Sequence, residues 1–209
     1  MKFTASAIIA SFFALSRAAP TAPAVGPDPS LVYVTHINYG GSGCPVGSIA
    51  QSFSGDRTYF TLIFDQFIAS MGPGIPGTES RKNCQINVGI RYPGGYQFSI
   101  FEATYRGFAD LPKTQTGTQK ATYYFSGDNR QCSAESIIKG PISRDYVFTD
   151  KISTETNVWS PCGVEGLLNI NSQVRITSTQ NPPKEQGQLT TDSLDGKFQQ
   201  IMALNWRKC

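Results

Sequence analysis

The chain has 209 residues, 39% hydrophobic, 11% aromatic and 16% charged, with 18 Lys and Arg against 15 Asp and Glu. The aromatic content and near balance of charge exclude a disordered tail, and 20 glycines without a strict period exclude a collagen-like rod. No apolar run past the N-terminus reaches the roughly 18 residues that a membrane-crossing helix needs, which leaves a single compact soluble domain with its own core.

The N-terminus reads as an export signal. Lys2 precedes an uncharged, mostly apolar stretch from Phe3 to Leu15, and Ser16-Arg17-Ala18 supplies the small-x-small cleavage pattern. Residues 1–18 are therefore expected to be a secretory signal peptide. Residues 19–30, with Pro20, Pro23, Pro27 and Pro29, are expected to form an extended Pro/Ala-rich leader, and residues 31–209 one domain. Removal of Lys2 and Arg17 with the signal takes the basic count from 18 to 16, against 15 acids. A chain so near neutrality has no basic face for nucleic acid, and the expected location is extracellular.

Past the leader, segments of period two dominate and no convincing amphipathic helix appears. The predicted strands are Leu31–Asn38, Ser48–Phe53, Arg57–Phe67, Cys84–Tyr92, Tyr96–Phe108, Lys120–Phe125, Ser133–Lys139, Asp145–Ile152, Leu167–Thr177 and Lys197–Arg207. Phe60, Leu62 and Phe64 share one face of the third. Cys84, Ile86, Val88, Ile90 and Tyr92 share one face of the fourth, and Pro93-Gly94-Gly95 is read as a turn that reverses the chain after it. Gly/Pro/Asn/Asp/Ser clusters separate nearly all of them. The spacing predicts an all-β fold, an antiparallel β-sandwich of jelly-roll type with about ten strands.

Five cysteines, Cys44, Cys84, Cys132, Cys162 and Cys209, follow the signal. In an oxidising compartment most should pair, leaving one odd. No CxxC is present and His36 is the single histidine, so no metal site is expected. Asp56, Asp128, Asp150, Asp192 and Asp195 lie near turns, where capping explains them as well as calcium does. No cofactor motif is found. The Gly-rich stretch from Tyr39 to Ser48 runs into Pro45 rather than GK[ST], so it reads as a turn at Cys44 and not a phosphate loop.

Asp65 and Glu102 are the catalytic candidates, because a carboxylate pair can serve glycoside hydrolysis as acid and nucleophile. The plainer reading is that both point outward or meet Arg57, Arg91 or Arg106. His36 without a GxSxG elbow does not suggest a serine triad. Tyr124 and Trp159 are the ligand-binding candidates. Alternation sets Tyr124 opposite Tyr123 and Phe125, and exposed rings stack on sugars or anchor protein partners.

The segments GSGCPVGSIAQSFS, FDQFIASMGPGIPGTESRKNCQINVGIRYPGGYQFSI, ATYRGFADL, VWSPCG, LLNINSQVRI and DSLDGKFQQIMALNWRKC resemble the DUF4360 family of small exported proteins over most of Tyr39 to Cys209. The resemblance implies export, disulfides and a β-rich domain, and transfers no catalytic residue. It implies bridges among Cys44, Cys84, Cys162 and Cys209, with Cys132 the odd thiol. A Cys132–Cys162 pair is the alternative, and Cys44 with Cys84 is favoured because both flank the first strand group.

The function expected is a secreted, non-enzymatic binding module whose partner is a cell-wall polysaccharide or an extracellular or host protein. A fungal effector or virulence role is compatible with it. The alternative is a carbohydrate-active hydrolase or lyase working through carboxylates.

Overall fold

The computed structural model describes residues 26–152, 158–190 and 198–209. The signal peptide, the first part of the leader, Asp192 and Asp195 lie outside the described residues.

Eleven strands are described: β1 (Tyr33–Gly40), β2 (Ile49–Phe53), β3 (Tyr59–Phe64), β4 (Ala69–Met71), β5 (Arg81–Leu111), β6 (Gln115–Phe125), β7 (Cys132–Lys139), β8 (Ile142–Lys151), β9 (Gly163–Ser178), β10 (Gly187–Thr190) and β11 (Phe198–Lys208). They pair antiparallel into one continuous hydrogen-bonded sheet. The two helical segments are short 3₁₀ turns at Pro29–Leu31 and Gly77–Ser80.

β5 organises the molecule. Its first part pairs with β1 on one edge and β9 on the other, and β6 and β7 continue beyond β9. Its second part pairs with β11 and then β10 on one edge and with β8 on the other. One strand thus belongs to two layers, β1-β5-β9-β6-β7 and β2-β3-β11-β5-β8. The layers close on each other as a sandwich, because Phe98 of the second packs edge-on against Phe125 of the first at 5.1 Å.

Pro93-Gly94-Gly95 does not reverse the chain, contrary to the sequence expectation. The strand runs on through it, and only the register to β9 slips, between Arg91 and Tyr96. Gly95 sits at φ +81°, a conformation that suits glycine. It lies within the register slip, where β5 passes from its first part to its second.

Alternation places the core. Cys84, Ile86, Val88, Ile90 and Tyr92 of β5 are buried, as are Phe60, Leu62 and Phe64 of β3 and Tyr123 and Phe125 of β6. In the second part of β5 the inward set changes from Phe98 and Ile100 to Ala103, Tyr105 and Ala109. The register to β11 skips one residue there, Glu102 facing Ala203 and Ile100 facing Leu204. Phe101 is the extra residue of this bulge and is partly exposed.

The disulfides Cys44–Cys84 and Cys162–Cys209 cross-link the fold, and Cys132 is a buried free thiol. The Gly-rich segment before Cys44 lies close on β5. A Cβ at Gly43 would stand 1.9 Å from the Phe67 ring, and Gly43 N donates to Asn83 O at 3.0 Å. The glycines there serve close backbone approach.

Candidate functional site

After β8 the chain returns to the same edge of β5. Ser160 N donates to Phe98 O at 2.8 Å, and Trp159 bridges Ser99. Ser160 is held from inside as well. Its hydroxyl accepts from Phe98 N at 2.9 Å and lies 3.0 Å from the Tyr92 hydroxyl, which donates to Pro161 O at 2.8 Å. Two residues on, Cys162 is bonded to Cys209 beside the end of β11. The Trp159 segment is therefore fixed at both ends.

That anchoring sets Trp159 against Arg207 of β11. The Arg207 guanidinium lies over the indole ring, 3.8 Å from its centroid. Arg207 pairs in register with Gln97 of β5. With its amide oxygen turned toward Arg207, Gln97 accepts from Nε at 2.9 Å and Nη2 at 2.8 Å. The β6–β7 turn, residues 126–130, completes a polar cleft of about 400 Å³ around Gln97, Asp128, Arg130, Trp159, Ser160 and Arg207.

The two arginines differ in their electrostatics. Arg130 is engaged by Asp128, through Nε to both carboxylate oxygens at 3.0 and 3.1 Å and Nη2 to Oδ2 at 2.6 Å. The side-chain and backbone hydrogen bonds from Arg130 hold the Asp128 carboxyl down at about 2. Arg207 meets a neutral amide and a ring, and no carboxylate within ion-pair distance among the described residues. The cleft therefore presents one positive charge that its described lining does not cancel.

Of the two rings named from the sequence, Trp159 lines this cleft and Tyr124 does not; Tyr124 sits on the outer face of the first layer. Tyr124 is half-buried and its hydroxyl accepts from Gln85 Nε2 at 3.4 Å. The row next to it is polar. Asn87 donates to Asn169, and Asn169 Nδ2 donates to Ser126 Oγ at 2.9 Å. Ser126 in turn lines the cleft.

Asp65 and Glu102 are not brought together. Asp65 lies just past β3, whose Phe64 faces Phe198, while Glu102 faces Ala203 on the other edge of β11. Six residues of strand and two strand spacings separate them, roughly 20 Å, against the roughly 5–10 Å of glycosidase carboxylates. His36 is exposed on β1 and its Nδ1 lies 3.0 Å from Thr35 Oγ1. Asp56 caps its turn by accepting from Ser54 and Thr58, and Asp150 lies within β8, where it accepts from Ser136. Burial raises the pKa of Cys132, whose Sγ lies 3.7 Å from Tyr123 O. The sequence reading missed Arg207 and Gln97 as site residues and named Asp128 only as a turn residue, for capping or calcium. The visible signal for Arg207 was its place two residues before Cys209.

The sequence pattern of a family described as "Domain of unknown function (DUF4360)" matches residues 30–209. An uncharacterized secreted protein of Arthroderma benhamiae is 51% identical over 183 residues, which cover 88% of this chain and 74% of the relative. Among solved structures, the mannan-recognising carbohydrate-binding module TmCBM27 is 8% identical with a TM-score of 0.35, over 84% of this chain and 89% of that one. TmCBM61 in complex with β-1,4-galactotriose is 10% identical with a TM-score of 0.29, over 84% of this chain and 90% of that one. At these scores neither structure bears on the site.

Proposed function

We propose that this chain, which belongs to the DUF4360 family, is a secreted binding protein that recognises a cell-wall glycan at the Trp159 cleft without turning it over. The secreted relative supports the location. One observation carries the rest. The cleft gathers an aromatic ring, a guanidinium, an amide and hydroxyl groups on strands and on a disulfide-anchored segment. Rings that stack on sugar faces, flanked by fixed polar groups, are what saccharide recognition requires. Rigid support lowers the entropy lost on binding. The cleft's carboxylate, Asp128, is occupied by Arg130, which leaves it poorly placed to act as an acid or nucleophile.

The test is co-sedimentation of the mature protein with insoluble chitin, β-glucan, xylan and pectin, with analysis of released sugars. Retention on at least one polymer, lost in Trp159→Ala at unchanged melting temperature and with no sugar release, is the expected result. Failure to sediment with any of them overturns the reading. A host or extracellular protein partner would then become the reading to pursue.

A further inference from the structure

We propose that the Trp159 cleft selects acidic glycans, chains carrying uronate carboxylates, and that Arg207 is the group that reads the carboxylate. This rests on the glycan reading above and adds the chemical class of the ligand.

Arg207 is held on one edge and one face. A guanidinium has five N–H donors in a planar fork. Gln97 takes one from Nε and one from Nη2, and the Trp159 ring covers a face. The remaining donors have no acceptor among the described residues, so the fork is oriented with hydrogen-bonding capacity to spare. The nature of its holder matters. An Asp or Glu at position 97 would orient the guanidinium and also cancel its charge, whereas Gln97 orients it and leaves the charge intact. On the β6–β7 turn that forms another wall of the cleft the opposite arrangement occurs, with Arg130 paired to Asp128. The described lining thus sums to one uncompensated positive charge beside an aromatic ring.

A ligand that answers this has an anionic, planar, two-oxygen group attached to a ring with an apolar face. A uronic acid residue fits both requirements. Its carboxylate can accept two parallel N–H bonds from the fork, the geometry in which arginine is strongest, while the pyranose ring would pack against the part of the indole that Arg207 does not cover. A neutral hexose would leave the guanidinium without an acceptor where bound ligand displaces water, which disfavours it.

The experiment compares the wild-type protein on polygalacturonate, on the same polymer fully methyl-esterified, and on neutral xylan and β-glucan, by affinity electrophoresis. Dextran sulfate is the polyanion control. Esterification removes the carboxylate charge and keeps the sugar backbone, so it needs no variant to fold. The expected result is binding to polygalacturonate that weakens roughly tenfold or more on esterification and exceeds binding to dextran sulfate. Arg207→Gln should lose the discrimination, and Arg207→Lys, which keeps charge but not the fork, should recover it only in part. Equal affinity for acidic and esterified polymer, lost in Trp159→Ala, overturns the acidic preference and leaves the glycan reading standing. Equal binding of dextran sulfate, or acidic binding unchanged in a folded Arg207→Gln, also overturns it. Binding to none of the polymers overturns both.

Discussion

The phenolic oxygens of Tyr105 and Tyr123 meet at 2.8 Å across the interior of the sandwich. Tyr105 comes from β5 in one layer and Tyr123 from β6 in the other. Gln200 of β11 donates to Tyr123 at 2.6 Å, and Ser172 of β9 donates to Gln200 at 2.7 Å. All four residues are buried, so four strands from two layers are joined by one polar chain inside an apolar core. Such a chain adds little net energy per bond but fixes the register of the layers, since each member left without a partner is costly.

Tyr123→Phe tests this. It keeps the ring and takes the hydroxyl from Gln200, stranding a buried amide donor at a penalty of about 1–3 kcal/mol. Urea denaturation should show a loss in that range. Thr122→Ala, on the same strand but outward and half-exposed, should change stability by less than about 0.5 kcal/mol. Equal effects from the two would mean that the chain does not hold the layers together.

Burial raises the pKa of Tyr105, Tyr123 and Tyr146 well above the ordinary tyrosine value. A folded-state pKa raised above the unfolded one contributes stability that is complete below about pH 10 and is lost as pH climbs past it. Melting temperature should therefore hold steady to about pH 9 and fall steeply above about pH 10. A spectroscopic titration of the phenolate signal checks this. The buried three should ionise only together with loss of tertiary structure. A smooth titration of all tyrosines in the folded protein contradicts the placement.

Val88 is fully buried in β5, opposite Leu168 of β9 in register. Val88→Asp places an unpaired carboxylate in the core, a change worth several kcal/mol, and secretion of folded protein should fail. Asn87→Asp, one residue away on the outer face, should be secreted. Normal yield and melting temperature for Val88→Asp would refute the face assignment.

The neighbouring pair Asn87 and Val88 also shows what was legible in the sequence. Where a strand is half-buried, period two exposes its inner face, and the segments around Phe60, Val88 and Trp206 could be read directly. β4 (Ala69–Met71) and β10 (Gly187–Thr190) were missed because three or four residues beside Gly and Pro carry too little alternation. Pro93-Gly94-Gly95 was misread because the same residues that make a hairpin also permit a bend in a continuing strand, and the choice is made by the strands on either side. The cleft was legible only as Trp159. Arg207 and Gln97 become neighbours through the β11–β5 register, which joins residues more than a hundred positions apart, and no local pattern encodes that.

The roughly 20 Å that the strand register sets between Asp65 and Glu102 predicts that neither supports hydrolysis. Asp65→Asn and Glu102→Gln should leave polysaccharide binding unchanged, and no sugar should be released by the wild type or by either variant. Reducing-sugar assays on xylan, β-glucan, chitin and pectin check this. Turnover abolished in one of these variants, with folding intact, would restore the hydrolase alternative.

The two disulfides should separate stability from binding. Each closes a loop of similar length, with sequence separations of 40 and 47, so each should restrict the unfolded chain to a similar degree, about 2–4 kcal/mol. Their locations differ. Cys44–Cys84 ties the Gly-rich segment to the start of β5, away from the cleft, and Cys84 is buried with the core. Cys162–Cys209 joins the segment carrying Trp159 to the strand end carrying Arg207. Loss of the second bond frees both partners of the stacked pair, so it should weaken ligand binding through lost preorganisation as well as lower stability. The paired variants Cys44→Ala with Cys84→Ala and Cys162→Ser with Cys209→Ser should both melt at lower temperature. At a temperature where each is still folded, the first should retain wild-type polysaccharide affinity and the second should lose roughly tenfold or more. The reverse order of affinities, or equal losses in both, would place the binding site elsewhere on the molecule.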